Sequence, residues 1–163
     1  MTVAAEEKII NEIFDEVETF EGIAETLGAD DQRHHDLMAI ARNHLRRCPA
    51  VRPVIASRLL DLSTPTVRSW ITAGILVTVP LPKRANPPRL DPARVHDVLH
   101  ILKELRAAGQ TRGLLDAVWH RLEDQDLLNA GLDASIKQMR AGVGVDIDPH
   151  ELRASLLRES SLD

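Results

Sequence analysis

The chain has no tyrosine, only two tryptophans and only two phenylalanines in 163 residues. Proteins that grip single-stranded nucleic acid stack its bases on aromatic rings, and there are too few rings here for such a platform. Cysteine is nearly absent as well. Cys48 stands alone, which excludes an intrachain disulfide and suits a reducing cytoplasm. No apolar run approaches the ~20 residues of a membrane-spanning helix, and no apolar stretch follows a basic start as in a secretory signal. The expectation is a cytoplasmic protein with no membrane partner.

Several chemical devices are missing too. There is no glycine-rich loop to cradle phosphate, no nucleophile elbow and no Cys/His pairing, and the carboxylates are spread over what read as solvated helix faces. An enzyme is not expected, nor a cofactor. Of the seven histidines, His34, His35, His44, His120 and His150 are scattered. His96 and His100 stand at i, i+4, a spacing that could hold Zn²⁺. They read as pointing away from the apolar stripe of their helix, and no third ligand follows at a recognisable spacing, so no metal is expected.

What is present is a reversal of charge. The whole chain is acidic, at net −5, but the sign is not uniform. Residues 1–50 hold five Lys/Arg against eleven Asp/Glu, residues 51–113 ten against four, and residues 114–163 five against ten. A basic centre between acidic arms is the footprint of a nucleic-acid-binding module flanked by partner-binding or self-association segments.

Inside the basic block, Val54–Leu76 reads as two short helices joined by a tight turn. In the first, Val54–Asp61, Ile55, Leu59 and Leu60 share a face. Leu62 plugs the turn and Ser63 is a good N-cap, its hydroxyl free to accept from a first-turn N–H. Pro65 lies in that first turn, where its missing N–H costs nothing. Val67, Trp70 and Ile71 face inward over Thr64–Ala73, and Gly74 ends the helix. Thr64, Thr66, Arg68, Ser69 and Thr72 are left facing outward. None is acidic, as a phosphate-rich partner requires.

Ala56, Leu59, Leu60, Ser63, Thr66, Val67, Trp70, Gly74 and Leu76 together resemble the helix-turn-helix of the MerR and phage-excisionase superfamily. The similarity runs over roughly residues 52–125. A Pro-rich basic strip (residues 80–89) follows where that family has a β wing, and Leu105–Gly109 is similar to its helix junction. The resemblance implies a mainly all-α fold: a winged helix-turn-helix of MerR-like type with flanking helices and at most a short β wing. Prolines 80, 82, 87 and 88 disfavour a regular hairpin there and allow an extended arm. It also implies binding to double-stranded DNA. Arg68 is expected to read a base, with Ser63, Thr64, Thr66, Ser69 and Thr72 beside it, while Arg52, Arg58, Lys83, Arg84 and Arg89 contact phosphate. The protein is then nucleoid-associated when bound.

Three regions are expected: acidic helices over 1–49, the DNA-binding domain with its following helices over 50–129, and a tail over 130–163. In the first, Ile9, Ile10, Ile13, Val17 and Phe20 form one stripe, and Asp30–Arg47 a second amphipathic helix. A helix over Pro92–Ala108 is capped by Asp91 and closed by Gly109, with Val95, Val98, Leu99, Leu102 and Leu105 on one face. Another runs over about Thr111–Asn129. One helix in one groove makes few base contacts, so a homodimer is expected.

The tail reads as a short helix (Asp133–Arg140), a strand-like run with Val143, Val145 and Ile147, and a last helix with Leu152, Leu156 and Leu157. Small apolar elements of this kind suit folding onto a partner. The tail resembles the toxin-neutralising tails of bacterial antitoxins, which implies a small protein toxin as partner and autorepression of the operon. The alternatives are a stand-alone regulator and a protein-interaction module that binds no DNA.

Overall fold

The computed structural model describes residues 1–80 and 88–141, apart from the side chains at 132, 133, 135, 136 and 138–140. Among the described residues there are six helices and no strand, an all-α architecture. They are α1 (Val3–Glu25), α2 (Gln32–Arg47), α3 (Pro53–Leu59), α4 (Thr64–Thr72), α5 (Pro92–Ala107) and α6 (Leu114–Arg140). None is long and apolar enough to cross a membrane. The chain divides into two units, Met1–Arg121 and Leu122–Asp163, so the acidic first helices share one unit with the basic block.

Helices α1 and α2 form a hairpin. Thr2 caps α1 by accepting from the Ala5 N–H at 3.2 Å, and Asp31 caps α2 through the Arg33 N–H at 2.9 Å. Near the turn, His34 Nδ1 donates to the Ala24 carbonyl at 2.9 Å; farther along, His44 Nδ1 meets Glu16 at 3.0 Å. Those two pairs put the helices antiparallel. Of the expected stripe, Ile10 and Val17 are buried while Ile9, Ile13 and Phe20 are only partly covered; Phe14, which the stripe left out, is buried with them. Gly22 does not break α1, which continues to Glu25. Cys48 ends α2, its N–H reaching the His44 and Leu45 carbonyls. Its thiol is buried, and loss of hydration pushes the pKa up to about 12.

Helix α5 is the centre of the first unit. Asp91 caps it and Pro92 opens it, as expected. All five stripe residues are buried, but so are His96 and Ile101, so α5 is covered on more than the expected face. That corrects the reading of His96 as solvated: it is 2% exposed, its ring edge-to-face with Phe14 of α1 at 5.1 Å between centroids.

Short extended pieces follow α4 and precede α5. Val79 N–H donates to the Arg89 carbonyl, Asp91 N–H to the Val77 carbonyl, and Val51 and Leu90 exchange both backbone bonds. These amount to isolated bridges, Val51 with Leu90 and Thr78 with Leu90. The expected break near Asn129 is absent. Helix α6 runs through Gly131 to Arg140, so Asp133–Arg140 is its last part and not a separate helix. A helical glycine costs only ~1 kcal/mol relative to alanine, too little to stop a helix built of good formers on both sides. The expected partner-binding residues Val143, Val145, Ile147, Leu152, Leu156 and Leu157 lie outside the described residues, as do Lys83 and Arg84.

Candidate nucleic-acid interface

The pair α3 and α4 is built as its local chemistry dictates. Pro53 opens α3, where a missing N–H is harmless. The turn that follows places Asp61 at φ 51°, a left-handed conformation that a short polar side chain tolerates. Two side chains hold it. Ser57 Oγ donates to the Leu62 carbonyl at 2.6 Å, and Arg106, from α5, donates to the Leu60 and Asp61 carbonyls at 2.9 and 3.2 Å. Arg106 thus satisfies carbonyls that the end of α3 leaves without partners. Ser63 then caps α4, accepting from the Thr66 N–H at 3.2 Å, and its hydroxyl also pairs with that of Thr66 at 2.7 Å.

Val67 and Trp70 turn inward and are almost fully buried, worth about 1.5–3 kcal/mol for a side chain of this size. Gly74, at φ +83°, lets the chain reverse; Ile75 and Leu76 both donate back to the Trp70 carbonyl. A side chain at Gly74 would also approach the Trp119 ring of α6, 3.8 Å away.

The outward face of α4 contains no carboxylate. Arg68 and Ser69 are exposed, as is Thr72, whose hydroxyl is turned back onto the Arg68 carbonyl at 3.1 Å. Thr64, Arg68 and Ile71 line a groove of about 420 Å³ together with Arg52, Pro53, Val54 and Pro88, so Ile71, expected inward with Val67 and Trp70, is only partly covered. Among the described residues no carboxylate pairs with Arg68.

Three of the arginines expected on phosphate meet carboxylates of α1. Glu6 of α1 is buried, and its two carboxylate oxygens face two cations: Arg52 Nε donates to one at 2.8 Å and Arg89 to the other. Arg89 also donates to the Ala50 carbonyl at 3.3 Å. Arg58 is paired with Glu7 at 2.5 Å. Sequence separations of 46, 51 and 83 residues leave no local signal for these pairs. The positive block is therefore partly neutralised by the first two turns of the acidic helix.

The far end of α1 meets α5 in a second polar cluster. His96 Nε2 and His100 Nε2 lie 3.2 Å apart. Glu21 Oε2 is 3.8 Å from the former and 3.4 Å from the latter, Glu18 Oε1 is 4.0 Å from His100 Nε2, and Lys103 is 2.5 Å from that same Glu18 oxygen. Burial lowers the His96 pKa to about 4, keeping the ring neutral at pH 7. His100 shifts up, chiefly through its bond to Glu21. At Glu18 burial works upward, but the hydrogen bond and charge of Lys103 leave the carboxyl below its ordinary range. The carboxylates beside the two histidines come from a helix some eighty residues earlier, a neighbourhood that spacing along the sequence does not show.

Comparison with protein-family models, curated proteins and solved structures finds no match.

Proposed function

We propose that the protein is a sequence-specific DNA-binding transcriptional regulator that inserts α4 in the major groove. One observation supports this above the others. Arg68 stands on an exposed helix face without carboxylates, beside a groove, and no acid among the described residues engages it. A guanidinium in that position suits bidentate pairing with guanine. Thr64 and Ser69 flank it, whereas Ser63 and Thr66 are committed to the cap. The finer assignment, a winged helix-turn-helix of MerR-like type acting as a homodimer, belongs to the same reading; the backbone pairing of Val77 and Val79 with Asp91 and Arg89 supports a wing base.

Band shifts with the full chain and DNA selected from a random pool test the proposal. Wild type is expected to enrich a defined site, and Arg68→Ala to lose about 1–3 kcal/mol at one base position, relaxing preference there. Arg68→Ala that binds the same site with the same preference would remove Arg68 from base readout. The absence of any salt-dependent duplex binding would leave the protein-interaction alternative.

The antitoxin role is part of the proposal and rests on the resemblance of the tail. Its test is co-expression with the neighbouring open reading frame. A stoichiometric small partner, lost on truncation after residue 130 while DNA binding persists, supports neutralisation of a toxin. A lone protein with full operator binding makes it a stand-alone regulator.

A further inference from the structure

The cluster between α1 and α5 has the composition and spacing of a transition-metal site. Imidazole nitrogen and carboxylate oxygen are both ordinary ligands of Zn²⁺. With bonds of about 2.0–2.1 Å, the corners of a tetrahedral site stand about 3.3 Å apart. The separations here are 3.2 Å between the two imidazole Nε2 atoms, 3.4 and 3.8 Å from these to Glu21, and 4.0 Å from His100 to Glu18. The ligand atoms of Glu18, His96 and His100 all fall within 4.8 Å of one another. We propose that His96, His100 and Glu18, with Glu21 completing the set, form a binding site for Zn²⁺ or a similar first-row divalent cation.

The surroundings support that placement. The ring of His96 is fixed by burial and by its edge contact with Phe14, so its Nε2 is presented with little rotational freedom. His100 stands one turn along the same face, its ring 4.4 Å from that of His96. In the structure as it stands, one imidazole N–H donates to the other imidazole nitrogen, and Lys103 neutralises Glu18. A divalent cation replaces both arrangements: each Nε2 gives its lone pair to the metal, and the Lys103 ammonium, on an exposed side chain, withdraws to water. Two carboxylates and two neutral imidazoles around a dication leave the cluster without net charge. The bound cation would bridge α1 to α5, and by linkage would stabilise the folded first unit. The site is independent of α4 and of the DNA-binding reading.

The test uses the full chain, stripped with chelator and titrated with ZnCl₂ by calorimetry, then with CoCl₂ by visible absorption. The expected result is one cation per chain, the intense band of tetrahedral cobalt and a raised Tm. His100→Ala and Glu18→Gln alter partly exposed side chains, and circular dichroism verifies that they fold; each is expected to weaken Zn²⁺ binding on the order of 100-fold. Lys103→Met releases Glu18 and is expected to tighten binding. The other histidines persist in all three variants, so Zn²⁺ affinity unchanged in both His100→Ala and Glu18→Gln would overturn the proposal. So would a wild type showing neither heat nor a Tm shift with Zn²⁺.

Discussion

The two ends of α1 use the same residue type against different partners. At its start, Glu6 and Glu7 face Arg52, Arg89 and Arg58; at its end, Glu18 and Glu21 face His96, His100 and Lys103. Arginine is always charged and presents a rigid fork, so the first cluster is a fixed ion-pair network. Imidazole has a lone pair to offer when neutral, so the second is chemically open in a way the first is not. Burial sharpens the difference. Glu6 lies at a 6% exposed side chain between two cations, whereas the carboxylates at the far end keep about a quarter to a third of their surface in water. An acidic helix on a basic block is therefore more than charge balance, because each end has its own chemistry.

The comparison breaks most visibly at Glu6. Glu6→Ala leaves two partly buried guanidinium groups without their shared carboxylate and is expected to lower unfolding stability by about 3 kcal/mol in urea titrations. Glu21→Gln, at the other end, is expected to lose about 1 kcal/mol, since a neutral amide still offers an oxygen to His100. Equal losses would mean that the two ends are energetically alike. Glu7→Gln is the mildest for folding, within about 0.5 kcal/mol, because Arg58 is more than half exposed. It is informative in a different assay: freeing the Arg58 guanidinium is expected to steepen the salt dependence of DNA binding by about one unit. A slope that does not move would place Arg58 away from the phosphate backbone.

Legibility in the sequence followed the range of each interaction. The cap at Ser63, the opening prolines, the inward Val67 and Trp70 and the left-handed Gly74 all depend on residues within a few positions, and all are where local chemistry put them. The stripe of α5 was legible for the same reason. His96 was not: a helical wheel shows which residues share a face, not how many faces are covered, and the cover comes from Phe14 on α1. The partners of Arg52, Arg58 and Arg89 were hidden by long loops of chain between cation and carboxylate. Arg106 was visible as part of a helix junction, but its work on the carbonyls of Leu60 and Asp61 appears only in three dimensions. The boundary expected near Asn129 falls inside a continuous helix, since α6 runs on through Gly131 to Arg140.

Cys48 sits at the end of α2, just before the chain enters Val51 and α3, and its thiol is nearly unionised at any ordinary pH. A thiol in that state reacts with an alkylating reagent only when the surrounding packing gives way. The residue is thus a built-in clock. With one sulfhydryl in the chain, the rate of labelling at pH 8 counts openings of the region where the acidic hairpin hands over to the basic block, with no probe to be engineered in. Native protein is expected to label far more slowly than urea-unfolded protein, and Glu6→Ala to label faster than wild type, the ticking rate following the free energy that holds α1 in place.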